Sequence, residues 1–129
     1  MFETIILNGT IIDGSGDSRY TADIGLQDGV IRAIDQLEGV QANEIIDASG
    51  LIVAPGFIDC HVHSDLMLLG DPQHAPKLLQ GVTTEVLGQD GLSYAPLSKD
   101  NLDLYVRYLA GLNGAPDINL DWSSVAEFR

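Results

Sequence analysis

The apolar pattern changes its period at Pro55-Gly56, and that change bounds what the chain can fold into. Before it, short β-branched runs alternate with turn-forming pairs. Thr4 to Ile12 (TIILNGTII) sets two such runs around Asn8-Gly9, a pair that readily supplies the positive φ angles of a two-residue turn, and a hairpin is expected there. DGSGDSR (Asp13 to Arg19) is turn chemistry. ADIGLQDGVIRAID (Ala22 to Asp35) repeats the pattern with Asp28-Gly29 at the tip, which predicts a second hairpin. Glu44 to Asp47 and Leu51 to Val53, around Ser49-Gly50, read as two more short strands. Residues 1–54 are therefore expected to form a small antiparallel β layer.

From Pro55 on, strand-like runs alternate with helical ones, the arrangement of βα units and a parallel sheet, so the fold class is α/β. Phe57 to His63 is the first of these strands. Asp71 to Gln80 predicts a short helix stopped by Gly81, Val82 to Leu87 a second strand, and GQDGLSYAPLS (Gly88 to Ser98) a loop. In KDNLDLYVRYLAGLNG, Leu102, Tyr105, Val106 and Leu109 fall at helical spacing, with Gly111 or Gly114 as the stop. Ser124 to Glu127 carries the serine-to-glutamate spacing of a helix start, yet only two residues follow it. A start without a stop predicts a chain cut just as a helix begins.

Charge and length narrow the function classes. With 19 acidic against 6 basic residues and a net charge of −13, the chain repels phosphate backbones and anionic lipid, which argues against nucleic-acid and membrane partners. No apolar run approaches the roughly 18 residues of a membrane helix, and the first ten residues lack a basic-then-apolar leader pattern. Cys60, the single cysteine, has no partner for an internal disulfide, in keeping with a soluble protein of the cytoplasm. At 129 residues there is room for one ordinary domain, or one small domain and a piece of another.

The chemistry concentrates in Pro55-Gly-Phe-Ile-Asp-Cys-His-Val-His63. In an extended strand Asp59, His61 and His63 share one face, while Ile58, Cys60 and Val62 share the other, which is expected to be buried. Two imidazoles on one face can converge on a divalent ion such as zinc. A His-x-His pair is also compatible with two ordinary strand histidines, and spacing alone leaves both readings open.

The segments LNGTIIDGSG, DGVIRAI and IDASGLIVAPGFIDCHVH, taken in that order, resemble the start of the amidohydrolase superfamily. That resemblance implies a metal-dependent hydrolase built on a (β/α)8 TIM barrel with a small β sandwich assembled from both chain ends. It implies that residues 1–54 are the N-terminal sandwich portion and residues 55–129 the start of an incomplete barrel. His61 and His63 would be metal ligands, with zinc the ion expected. QGVTTEVLGQDGLSYAPLS (Gln80 to Ser98) is similar to the second barrel strand and following loop of N-acyl-D-amino-acid deacylases. Those enzymes carry a metal-binding cysteine in a Gly-Asn-Cys-Gly turn, where this chain reads Gly88-Gln89-Asp90-Gly91. Asp90 is then either a harder replacement ligand or a plain turn residue.

The remaining candidates are weaker. Asp59 is expected to support a ligand through a hydrogen bond or to serve the structure. Asp65 has three readings: orienting a ligand or touching substrate, a solvated loop acid, or a helix cap. Ser93 and Tyr94 either line the pocket or pack their own loop. His74 is expected to be exposed, Cys60 to be a small buried residue, and the face on which Glu85 lies is open.

The resemblance implies hydrolysis of the amide of an N-acyl-D-amino acid, a small-molecule substrate, with a catalytic aspartate beyond Arg129. A barrel of this type needs about 250 residues, so this chain is expected to be inactive alone and, with strand edges unpaired, to form homo-oligomers or aggregates. Two rival readings stand beside it. One is a cyclic-amide hydrolase of the dihydropyrimidinase, hydantoinase or dihydroorotase kind, against which the GQDGLSYAP loop argues. The other is a non-catalytic short module that assembles with another chain.

Overall fold

The computed structural model describes residues 1–128 and divides into two compact units, Met1–Pro55 and the chain from Gly56 on. Five strands build the first unit: β1 (Phe2–Ile11), β2 (Tyr20–Gln27), β3 (Val30–Asp35), β4 (Ala42–Asp47) and β5 (Ile52–Val53), in the order β3-β2-β1-β4 with β5 also on β1. Ile5, Ile11, Ile24, Leu37 and Ala48 are its buried apolar residues. The Asp28-Gly29 hairpin forms as expected: φ is 54° at Asp28 and 68° at Gly29, the two positive values that match the twist of the paired strands β2 and β3.

Asn8-Gly9 behaves differently. β1 runs straight through the pair, and the positive φ of 62° at Asn8 makes an irregularity between Ile6 and Gly9 in the pairing with β2. Tertiary bonds hold it there: Asp23 Oδ1 accepts the Asn8 backbone N–H at 2.7 Å, and Asn8 Nδ2 donates to Asp47 Oδ1 at 3.2 Å. The other oxygen of Asp23 accepts the Leu37 N–H at 2.7 Å, so one carboxylate joins three segments. The layer is also mixed rather than antiparallel. β4 pairs parallel with Phe2–Leu7 and β5 parallel with Thr10–Ile11. Ser49-Gly50 thus jogs one path along β1 instead of reversing it.

In the second unit β6 (Phe57–Asp59) and β7 (Val82–Glu85) pair in parallel, joined through two short helices, α1 (Met67–Gly70) and α2 (Ala75–Leu78). The first of these had no signal in the sequence. α3 (Lys99–Asn113) buries Leu102 and Leu109 and ends at Gly114, whose φ of 71° no longer fits a helix. Those leucines pack with Leu66, Tyr94, Ala95 and Trp122, and the Trp122 indole N–H donates to the Tyr94 carbonyl at 2.9 Å. In α4 (Val125–Phe128) Glu127 Oε2 accepts the Ser124 N–H at 3.0 Å while Ser124 Oγ accepts the Glu127 N–H at 3.3 Å, the reciprocal cap that the spacing predicts.

Two expectations fail in this unit. The strand from Phe57 stops at Asp59, because only Phe57, Ile58 and Asp59 find partners on β7, so both histidines lie in the loop beyond it. Of the face expected to be buried, Val62 is buried, whereas Ile58 is 63% exposed and Cys60 is exposed as well. Among the described residues no helix is long and apolar enough to cross a membrane.

Candidate metal centre

The parallel pairing of β6 with β7 places two loops side by side. The loop after β6 carries His61 and His63. The loop after β7 tightens into a 3-10 turn over Gln89–Gly91, opened by Gly88 at φ 72° and holding Asp90 at φ 57°. That left-handed turn brings the carboxylate back over the histidines: Asp90 Oδ2 lies 3.2 Å from His61 Nε2 and 3.3 Å from His63 Nε2. One donor atom from each of the three residues falls within 4.8 Å of the others. The rings of His61 and His63 meet edge to face at 5.5 Å.

This donor set fits a divalent ion. Two imidazoles and a carboxylate are ordinary zinc ligands, and atoms about 2.0 Å from a tetrahedral ion stand about 3.3 Å from one another. Without an ion, the same groups make an exposed pair of contacts, since the side chains of His61 and Asp90 are 61% and 54% accessible, and such pairs add little stability. His63 is the enclosed member of the set.

A polar network lies behind the histidines. Asp59 Oδ1 accepts the His61 backbone N–H at 3.2 Å, which fixes the start of the loop. Its Oδ2 takes a 2.6 Å bond from Lys77, whose ammonium also reaches Glu85 Oε1 at 3.3 Å. That ammonium holds the Asp59 carboxyl below its ordinary range, and the bond to Asp59 in turn raises Lys77. Burial pushes Glu85 upward, but the Ser64 hydroxyl, donating to it at 2.6 Å, and Lys77 outweigh burial and leave it lowered. Glu85 is thus on the face that meets α2 and closes against Lys77. His74 is half-buried rather than exposed, because its Nε2 sits 3.3 Å from Glu85 Oε1; it shares an open cleft with His61, His63 and Lys77. Sequence reasoning passed over Lys77. One signal was there: a solitary cation, in a strongly acidic chain, on the predicted helix leading into β7.

The other candidates separate. Asp65 is 3% exposed and accepts the Gly88 N–H at 3.0 Å, which is neither a solvated acid nor a helix cap. Ser93 donates to the Ala95 carbonyl at 2.7 Å within its own turn, and Tyr94 is wholly buried in the core, its hydroxyl raised by burial. Neither is among the residues that line the cleft with the histidines. Cys60 is exposed, its sulfur 3.9 Å from the Ile58 carbonyl.

Comparison with known proteins bears on this arrangement. The family model described as "Amidohydrolase family" matches residues 44–122. A D-aminoacylase of Alcaligenes xylosoxydans xylosoxydans is 46% identical over 100 residues, which are 78% of this chain and 21% of that protein. An N-acyl-D-aspartate deacylase of the same organism is 44% identical over 95 residues, 74% of this chain and 19% of the relative. The crystal structure of an N-acyl-D-glutamate deacylase from Bordetella bronchiseptica, complexed with zinc and a phosphonate inhibitor, superposes with a TM-score of 0.70 at 40% identity, covering 92% of this chain and 28% of that one. The chain spans about a fifth of the length of the curated relatives it matches.

Proposed function

The chain belongs to the amidohydrolase family, and on that premise we propose that the whole protein is a metal-dependent hydrolase of the amide bond in N-acyl-D-amino acids. The observation that carries the proposal is the convergence of His61 Nε2, His63 Nε2 and an Asp90 oxygen within 4.8 Å at the ends of two parallel strands. His61, His63 and Asp90 are the residues assigned to a divalent ion, zinc first among those to test. Held there, such an ion supplies an activated water and a polarised acyl carbonyl. The chain's own residues supply position. Asp59 fixes the backbone at His61, while the Lys77 and Glu85 pair ties α2 to the strand beneath it.

In this reading β6 and β7 are the first two strands of a (β/α)8 barrel that residues beyond this chain complete, together with the acid or base that serves the leaving nitrogen. Residues 1–54 are the N-terminal part of an accompanying β sandwich. The substrate is a small molecule and the setting the cytoplasm. Relatives that act on D-aspartyl and D-glutamyl substrates, by their names, match this chain about equally well at 44% and 40% identity.

The decisive experiment measures release of free D-amino acid from N-acetyl-D-aspartate, N-acetyl-D-glutamate and N-acetyl-D-leucine by the whole protein, with bound metal quantified in parallel. Release from at least one of them is expected, and His61→Ala should lower kcat/KM by more than about 100-fold with loss of metal, exceeding the usual effect of residues that merely support a ligand. Ring opening of hydantoin without any deacylation would overturn the substrate, and a protein that binds no metal would overturn the mechanism.

A further inference from the structure

Beyond the three donor residues, and resting on their assignment to a metal, we infer that Asp65 is a positioning residue that sets the separation between the two halves of the centre by holding Gly88. The two loops belong to different strands, so something must fix the reach of Asp90 toward the histidines. The backbone bond from the Val86 N–H to the Asp59 carbonyl at 2.9 Å is where the strand pairing ends. Past it, the turn is bonded mainly to itself: the Gln89 side chain donates to the Val86 carbonyl at 3.0 Å and the Leu92 N–H to the Gln89 carbonyl at 2.8 Å. Among the described residues, the bond from the Gly88 N–H to Asp65 Oδ1 at 3.0 Å is the one that ties residues 87–91 to the histidine segment, apart from the contacts of Asp90 itself.

Position and burial both fit that role. Asp65 follows His63 by two residues, just before α1, and Gly88 precedes Asp90 by two, so one hydrogen bond spans the centre at its base. Asp65 is 3% exposed, and among the described residues its second oxygen has no hydrogen-bond partner. The enclosed side chain thus directs its one bond at the turn that carries Asp90. Gly88 suits the partner role because its φ of 72° turns the N–H toward Asp65 while sending the chain on toward Asp90. A residue acting this way never touches the ion. It governs affinity through the ligand it places.

The test is a double-mutant cycle read by cobalt(II) titration of the full chain, following both affinity and the visible d–d spectrum, with circular dichroism to check the fold. Asp65→Ala should weaken cobalt binding about 10-fold or more and shift the spectrum, as expected when a ligand's support is removed. Asp65→Asn, which keeps a carbonyl oxygen for Gly88, should restore both. In an Asp90→Ala background the Asp65→Ala change should have no further effect, because the ligand it positions is gone. If Asp65→Ala does not fold, Asp65→Ser, polar but too short to reach Gly88, takes its place. Wild-type affinity and spectrum in Asp65→Ala, or an undiminished effect in the Asp90→Ala background, would overturn the inference while leaving the centre intact. Should Asp90→Ala itself bind cobalt like the wild type, the assignment of Asp90 falls, and the inference with it.

Discussion

Lys77 is bracketed by Asp59 and Glu85, and removing it leaves Glu85, a carboxylate whose side chain is 8% accessible, without its cation. Lys77→Met is therefore expected to lower the thermal midpoint by several degrees, while Lys77→Arg loses less; differential scanning calorimetry separates them. With Asp59 also held low, Glu85 is one contributor to the acid limb. Its pKa is lowered in the folded chain, so the stability it contributes is present above its unfolded value of about 4.3 and is lost as pH falls through the folded value. Lys77 is raised, and its contribution is present below about 10.4 and lost as pH rises through the folded value. The difference in urea midpoint between wild type and Glu85→Gln should accordingly persist above about pH 5 and shrink below about pH 4. An unchanged difference at low pH would show that the network does not hold Glu85 ionised. None of these pairings was legible in the sequence, because Asp59, Lys77 and Glu85 are 18 and 8 residues apart and meet only when α2 folds over the strand pair. The histidine pair was legible as a pattern, since two side chains two residues apart can face one ion, but spacing alone left its role open.

At the level of elements, one dipeptide type does two jobs. Asp28-Gly29 joins two adjacent antiparallel strands and turns a hairpin, its Asp28 N–H donating to Glu3 at 2.8 Å. Asn8-Gly9 is pinned by Asp23 and by the parallel path along β4 and β5, and its positive φ is spent on an irregularity inside β1. Local turn preference cannot tell these apart; the strand partners on either side of each pair do. Gly9 is consequently constrained by close approach. A Cβ there would lie 2.6 Å from Val53 Cγ2, so Gly9→Ala should destabilise the first unit by about 1–3 kcal/mol, as overpacking does, measured by urea unfolding followed in the far ultraviolet. In the second unit Leu102 is fully buried beside Trp122, the single tryptophan, and Leu102→Ala should cost about 2–5 kcal/mol, read from tryptophan fluorescence. The α3 stripe and the Ser124 to Glu127 cap were readable beforehand, because a helix closes its bonds within itself.

For the molecule as a whole, net charge and exposed apolar surface oppose each other. Phe57 and Ile58, on a strand pair with open edges, are each 63% exposed, and Leu79 is 88% exposed, which favours self-association; the charge of −13 resists it. Light scattering of the chain should show the mean mass rising as salt shortens the screening length to about 8 Å at 0.15 M and below. A monomer at every salt concentration would count against β6 and β7 as an incomplete sheet. What the sequence by itself determined is whatever rests on local periodicity and on residue type: the change at Pro55, the α/β class, the long helix and its glycine stop, and two histidines able to ligate. Only the tertiary structure decided the parallel pairing of β4 and β5 with β1, the end of β6 at Asp59, the burial of Asp65 and the approach of Asp90 to the histidines. The physical reason is common to all four. Each depends on contacts between segments distant along the chain, and a left-handed turn at Gly88 and Asp90 meets the histidines only when the loop after another strand holds them within reach.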